Sequence, residues 1–246
     1  MPESAIALYH QHYVEKDFER IDMFRLLVDR FGTRTALYPG SFVHVSPSLV
    51  IPSVTYVDSD RRCPSFFADP AIQAMVEERR EYPEQPDIRF IAGDYATTIP
   101  DDVGPFDLLI SQWAGPVSQV CKRWLRAGGI LLANDSHVDA SLAQVDPDYQ
   151  LVAVLERRSG GRHLLSEDHL DAFFLPKSGV PPEPSELQRR TRPPRYTRVA
   201  AQYLFRRRGG TPADRVVAVS HTGHDERACD AGGCQGDPPP DVVERC

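Results

Sequence analysis

The chain has 246 residues, of which 41% are hydrophobic and 26% charged, and a net charge of −7; that suits one domain with appendages and a sizeable core, and it argues against nucleic acid or an anionic membrane as an obligatory partner. No apolar run reaches the ~18 residues of a membrane span, and the opening MPESAIALYHQ lacks the basic-then-apolar pattern of a signal peptide. The expected location is therefore the cytoplasm, and five irregularly spaced cysteines, Cys63, Cys121, Cys229, Cys234 and Cys246, do not describe a disulfide framework.

Residues 6–31 read as an amphipathic helix, with Ile21, Phe24, Leu27, Val28 and Phe31 on one face and Gly32 as its stop. It covers the sheet in the simplest reading; lying over a site, it would bring Tyr9, His10, His12 and Tyr13 near a ligand. A buried strand at 35–38 then breaks at Pro39, Gly40 and Ser41, where proline removes a backbone donor and glycine permits close approach. Ser46 and Pro47 read as the cap and first position of a short crossover helix that Pro52 closes. A second strand at 54–57 ends on Asp58, Ser59 and Asp60. Eighteen positions separate Gly40 from Asp58, close to the ~20 expected between a phosphate or cofactor turn and the acid that holds a ribose.

Further along, 70–80 is helical by the spacing of Ile72, Met75 and Val76, and prolines in 81–87 end it. The strand at 88–92 finishes on Gly93, Asp94 and Tyr95. The strand at 106–111 leads into Gln112, Trp113, Ala114, Gly115 and Pro116. A helix at 117–125 exits at Gly128 and Gly129, and a fifth strand at 130–133 ends on Asn134, Asp135, Ser136 and His137. Such alternation favours a parallel sheet with helices on both faces. The segments 149–156 and 170–175 read as a sixth and seventh strand, an antiparallel pair at one edge.

With these residues in order, the chain resembles the class I S-adenosylmethionine-dependent methyltransferases over about residues 18–177. The resemblance rests on the turn Tyr38-Pro39-Gly40-Ser41, the acidic end at Asp58, Gly93-Asp94-Tyr95, FDLLISQW and LRAGGILL. The YPGSFVHVSP, YVDSD and NDSH segments look most like a poorly characterised microbial branch. The fold it implies is α/β, a doubly wound Rossmann-like sheet of seven strands, mostly parallel with an antiparallel last strand and helices on both faces. The function it implies is methyl transfer from S-adenosylmethionine to a small molecule. Gly40, with Tyr38, Pro39 and Ser41, would lie under the methionine part; Asp58 would accept from the ribose hydroxyls. Gly93 and Asp94 would face the adenine, Tyr95 would flank it, and Ser111, Gln112 and Trp113 would border the methyl group.

The residues also carry plainer readings. Gly40 serves any tight turn, Asp58 and Asp60 compete for the ribose, and Trp113 equally closes a core at a strand end. The turn supplies one glycine where the family has an acid and alternating glycines. No Asn-Pro-Pro-Tyr-like segment follows the fourth strand. His137 and His44 are the candidate general bases, although core or surface roles are commoner for histidine. Two other functions stay open: a non-catalytic or regulatory protein on the same fold, and a nicotinamide-dependent oxidoreductase, which the lack of G-x-G-x-x-G disfavours.

Residues 1–177 are thus expected to be the methyltransferase-like domain. Residues 178–208 would be a Pro/Arg-rich linker with a short helix at 196–205, and 209–246 a disordered tail. Arg189, Arg190, Arg192, Arg195, Arg198 and Arg206 to Arg208 form a basic cluster, read as a solvated surface rather than a nucleic-acid site. His221, His224, Cys229 and Cys234 match no zinc spacing, so no metal is expected.

Overall fold

The computed structural model describes residues 4–158 and 161–209; the expected tail and its His221, His224, Cys229 and Cys234 lie outside them. The described residues form a Rossmann-like, doubly wound α/β sheet. Five parallel strands come first: β1 (Thr35–Pro39), β2 (Ser53–Asp58), β3 (Asp87–Ala92), β4 (Phe106–Ser111) and β5 (Leu125–Ala133). Three antiparallel ones follow: β6 (Tyr149–Arg157), β7 (His163–Ser166) and β8 (Gln202–Arg207). The order is β3-β2-β1-β4-β5-β8-β6-β7, eight strands rather than the expected seven.

Alternation along the strands builds two cores, because successive side chains point to opposite faces. Ala36, Tyr38, Val54, Tyr56, Leu108, Ile110 and Leu132 face one side, where they pack with Tyr9, Met23, Phe24 and Leu27. Leu37, Val57, Leu109, Leu131 and Ala133 face the other, with Val117, Cys121, Trp124 and Ala140. Helices α1 (Ala5–Tyr9), α2 (Ile21–Phe31), α3 (Cys63–Phe67) and α4 (Pro70–Arg79) cover the first face; α5 (Val117–Val120) and α6 (Asp139–Val145) cover the second. The Ser46-Pro47 signal becomes a single 3-10 turn, Ser46–Leu49.

Several expectations are corrected. The helix at 6–31 is broken: α1 runs into a π-helical turn, His10–Val14, and Asp17 and Arg20 take left-handed backbone conformations before α2. Helix 117–125 stops at Val120, and β5 starts at Leu125 instead of Ile130, with a register shift between Phe106 and Leu108 on β4. The segment 170–175 is a 3-10 turn, Leu170–Ala172; the edge hairpin is made by β6 and β7. The largest correction concerns 196–205, expected as a helix and in fact carrying β8, which enters antiparallel between β5 and β6. Its Leu204 sits in one core and its Tyr203 and Phe205 in the other. A short apolar run buried on both faces has no periodicity that separates strand from helix. The fold therefore continues through the segment read as a linker, with α7 (Pro184–Arg189) on the way.

Arginines of the basic cluster are tied to separate partners. Arg198 pairs with Glu156 at 2.6 Å, Arg190 pairs with Glu186, and the Arg207 guanidinium donates to the Leu125 carbonyl. No helix among the described residues is long and apolar enough to cross a membrane.

Candidate functional site

The strand order reverses direction between β1 and β4, and in open α/β sheets the crevice at the carboxyl ends beside such a point takes ligands. Here four strand ends open onto one crevice of about 450 Å3. Gly40 follows β1, Asp58 and Ser59 close β2, Gly93 to Tyr95 follow β3, and Trp113 and Ala114 follow β4. That volume lies within the roughly 300–1,000 Å3 of small-molecule sites.

Each wall has a local cause. The Gly40 N–H donates to the Val57 carbonyl at 2.7 Å, and its φ of 63° is left-handed. A Cβ at Gly40 would collide with the Cβ of Ala114, so the β1 turn and the β4 loop meet only because this position has no side chain. Gly93, at φ 143°, is confined in the same way by the Thr98 side chain. The Tyr95 hydroxyl reaches across and donates to the Ala114 carbonyl at 2.7 Å. Trp113 takes a left-handed φ of 57° and is 48% exposed, so it forms a wall and not a core plug. Phe18 and Arg20 pack against its ring.

Asp58 accepts backbone N–H bonds from Phe42 on one oxygen and Asp60 on the other, both at 2.7 Å. A carboxylate has about four lone-pair positions, so acceptor capacity remains on both oxygens. Asp60 does not line the crevice. It is forked by Arg62 at 2.8 and 2.9 Å, and that guanidinium holds its carboxyl down to about 2. Asp94 sits exposed at the rim and caps the Ala96 N–H.

Other expected residues lie elsewhere. Tyr38 is buried in the first core with its hydroxyl on His44, Pro39 is a buried strand residue, and the buried Ser41 hydroxyl donates to the Phe42 carbonyl. Ser111 donates at 2.5 Å to Asp139, which also accepts from the Ser118 backbone and hydroxyl. Burial pushes the Asp139 carboxyl up to about 6, and the neighbouring Asp135 likewise. Gln112 makes a reciprocal amide pair with Gln202 of β8 and accepts from Arg20 at 2.8 Å.

Neither histidine lines the crevice. His44 is 3% exposed, stacks on Tyr13, accepts from Tyr38 at Nδ1 and donates from Nε2 to the Glu19 carbonyl. Burial pushes its pKa down to about 3. With both nitrogens bonded inside the core it has no route to act as a base on a ligand in the crevice. His137 is exposed and turned to the Ser136 hydroxyl. Ser59 and Ala114 are expected from the sequence only as strand-end residues and Arg20 and Gln202 not at all; the glycine at Gly40 is the signal for the close packing there. Among the described residues no group of three or more histidine, cysteine or acidic side chains is placed to hold a metal ion.

No family model and no curated protein matches this chain. Solved structures similar to it include a methyltransferase from Geobacter sulfurreducens, at 16% identity over 63% of this chain and 86% of that one, with a TM-score of 0.43. Another is the O-methyltransferase TomG from Streptomyces achromogenes, solved with S-adenosylmethionine, at 14% identity over 67% of this chain and 88% of that one, with a TM-score of 0.43. An O-methyltransferase from Bacillus cereus, solved with S-adenosylhomocysteine, matches at 13% identity over 67% of this chain and 90% of that one, with a TM-score of 0.43.

Proposed function

We propose that this protein is an S-adenosylmethionine-dependent methyltransferase acting on a small-molecule acceptor. The observation that carries the reading is the meeting of Gly40, Asp58, Asp94 and Trp113, from four successive strand ends, around one crevice. Motif order along the chain and the mostly parallel sheet with a reversed C-terminal strand support it. The residues present fit such a cofactor: Asp58 keeps acceptor capacity for two hydroxyls, and the bare Gly40 turn brings backbone to the crevice wall.

In this reading Asp58 holds the ribose, Asp94 and Tyr95 border the base, and Gly40 underlies the amino-acid part. The cofactor, when bound, supplies a methyl group already activated by its sulfonium. The protein's work is then alignment and water exclusion. Trp113 walls the crevice toward a second pocket, and Tyr95 fixes the loop that carries it. No side-chain base is assigned, since His44 is locked in the core and His137 faces Ser136.

The lack of either histidine at the crevice favours a second reading, a binding or regulatory protein that keeps the crevice without transferring a methyl group. Calorimetry of the full chain with S-adenosylmethionine, S-adenosylhomocysteine and NAD tests the proposal. Binding of the first two, lost in Asp58→Ala, supports it; binding of NAD alone, or of none, overturns it. A ligand that binds and is never turned over across an acceptor screen selects the second reading.

A further inference from the structure

Beside the crevice lies a second, smaller pocket of about 230 Å3, and Trp113 lines both. Its walls include Arg20, Arg157, Asp17, Asp22, His163 and Gln202. The charges there are paired with one exception. Asp22 accepts from the His163 backbone at 2.7 Å and from its ring at 3.0 Å, and Arg157 faces Asp17 at 3.7 Å. The Arg20 guanidinium has no carboxylate partner among the described residues; its single hydrogen bond there goes to the neutral Gln112 amide at 2.8 Å.

Three further observations set Arg20 apart. Its guanidinium carbon lies 3.8 Å from the Phe18 ring centroid and 4.7 Å from that of Trp113, a stacked and partly dehydrated position. It is held by Gln112 of the Gln112–Gln202 amide pair, which ties β8 to the β4 loop. Its own backbone is left-handed, φ 56°, a conformation that a non-glycine residue adopts at a cost and that clusters at functional sites. Burial, with a smaller push from the Arg157 charge, also drags its pKa down to about 10, although the Asp22 charge nearby acts in the opposite sense. Withdrawing a cation from water without pairing it is unfavourable, and a bidentate carboxylate supplies what is missing.

We propose that Arg20 is the carboxylate-recognition residue of this second pocket, and that the methyl acceptor is a small organic acid docked there with Trp113 between it and the crevice. The identity of the neighbouring crevice rests on the methyltransferase reading; the anion site itself does not. The cofactor's own amino-acid carboxylate is the other source of the same chemistry. We favour the acceptor because Arg20 lines the second pocket and not the crevice.

The test uses the full chain with benzoate and its neutral counterpart benzamide as probes, read by calorimetry and tryptophan fluorescence, with and without saturating S-adenosylhomocysteine. Benzoate is expected to bind and benzamide not, in the unmodified protein, which needs no variant to fold. Arg20→Gln is expected to weaken benzoate at least tenfold, while Arg157→Gln, whose charge already faces Asp17, changes it less than threefold. Arg20→Gln should leave S-adenosylhomocysteine affinity unchanged. If instead it weakens S-adenosylhomocysteine tenfold and spares methylthioadenosine, which lacks the amino-acid part, the carboxylate recognised is the cofactor's and the acceptor assignment is overturned. Benzoate binding no better than benzamide, together with unchanged S-adenosylhomocysteine affinity in Arg20→Gln, overturns the anion site. A chain that binds benzoate through Arg20 but no S-adenosylhomocysteine keeps the anion site and refutes the methyltransferase reading.

Discussion

Gly40 and Ala114 touch across the carboxyl ends of β1 and β4, so closely that the first has no room for a Cβ against the second. Two penalties therefore fall on Gly40→Ala, one from the left-handed backbone and one from the collision. Together they should cost about 2 kcal/mol or more in a denaturant titration. Ala114→Gly opens the space and relieves only the collision. The double variant is thus expected to be less destabilised than the sum of the singles, and strict additivity would show that the contact does not matter.

Asp58 serves two masters, the β2 turn and the proposed ribose. Asp58→Asn retains one carbonyl oxygen, so it can keep one of the two backbone N–H bonds from Phe42 and Asp60. S-adenosylhomocysteine affinity should fall at least tenfold, ~1.4 kcal/mol, with a smaller loss of thermal stability than in Asp58→Ala. Equal affinities in Asp58→Asn and the unmodified protein would remove the ribose assignment.

Asp139 predicts an unusual pH response. Burial raises its folded pKa to about 6 from a reference value of 3.8, so between those values the folded state holds the extra proton. Stability from this group is present below pH 4 and is lost as pH rises toward 6, with a slope of up to ~1.4 kcal/mol per pH unit. Asp135 acts in the same sense. His44, pushed down from 6.5 to about 3, acts oppositely, losing stability as pH falls below 6.5. The clean measurement is consequently the difference between the unmodified protein and Asp139→Asn. Relative to the variant, the unmodified protein should become less stable from pH 4 to pH 6.5, and a flat difference would contradict the assignment.

β8 makes a prediction about chain length. A chain ending at Lys177 lacks the strand that pairs with both β5 and β6, leaving two long strand edges open. It should aggregate or lack a cooperative melting transition, whereas residues 1–209 should melt as one unit. Equal melting temperatures for the two would mean that β8 contributes little.

The parallel half of the sheet was legible in the sequence because each strand there is a compact apolar run cut off by a turn signal. Pro39-Gly40, Asp58 and Gly93-Asp94 mark strand ends, and strand ends are where an α/β sheet opens to ligands. The corner at Gln112 and Ser111 was not legible in that way. One turn of backbone decides whether a strand-end residue faces the crevice, and these two face Gln202 and Asp139 instead.

What the sequence by itself determined was the alternation of strands and helices and the identity of the residues at four strand ends, since both follow from local periodicity and turn chemistry. Tertiary structure alone decided three things. It turned 202–207 into a central strand, because burial on both faces erases the period that separates helix from strand. It locked His44 in the core, because a ring with both nitrogens bonded is indistinguishable in sequence from one facing a ligand. And it left Arg20 beside Trp113 without an acid, because a missing counter-charge is a fact about neighbours 92 positions apart, Arg20 and Gln112.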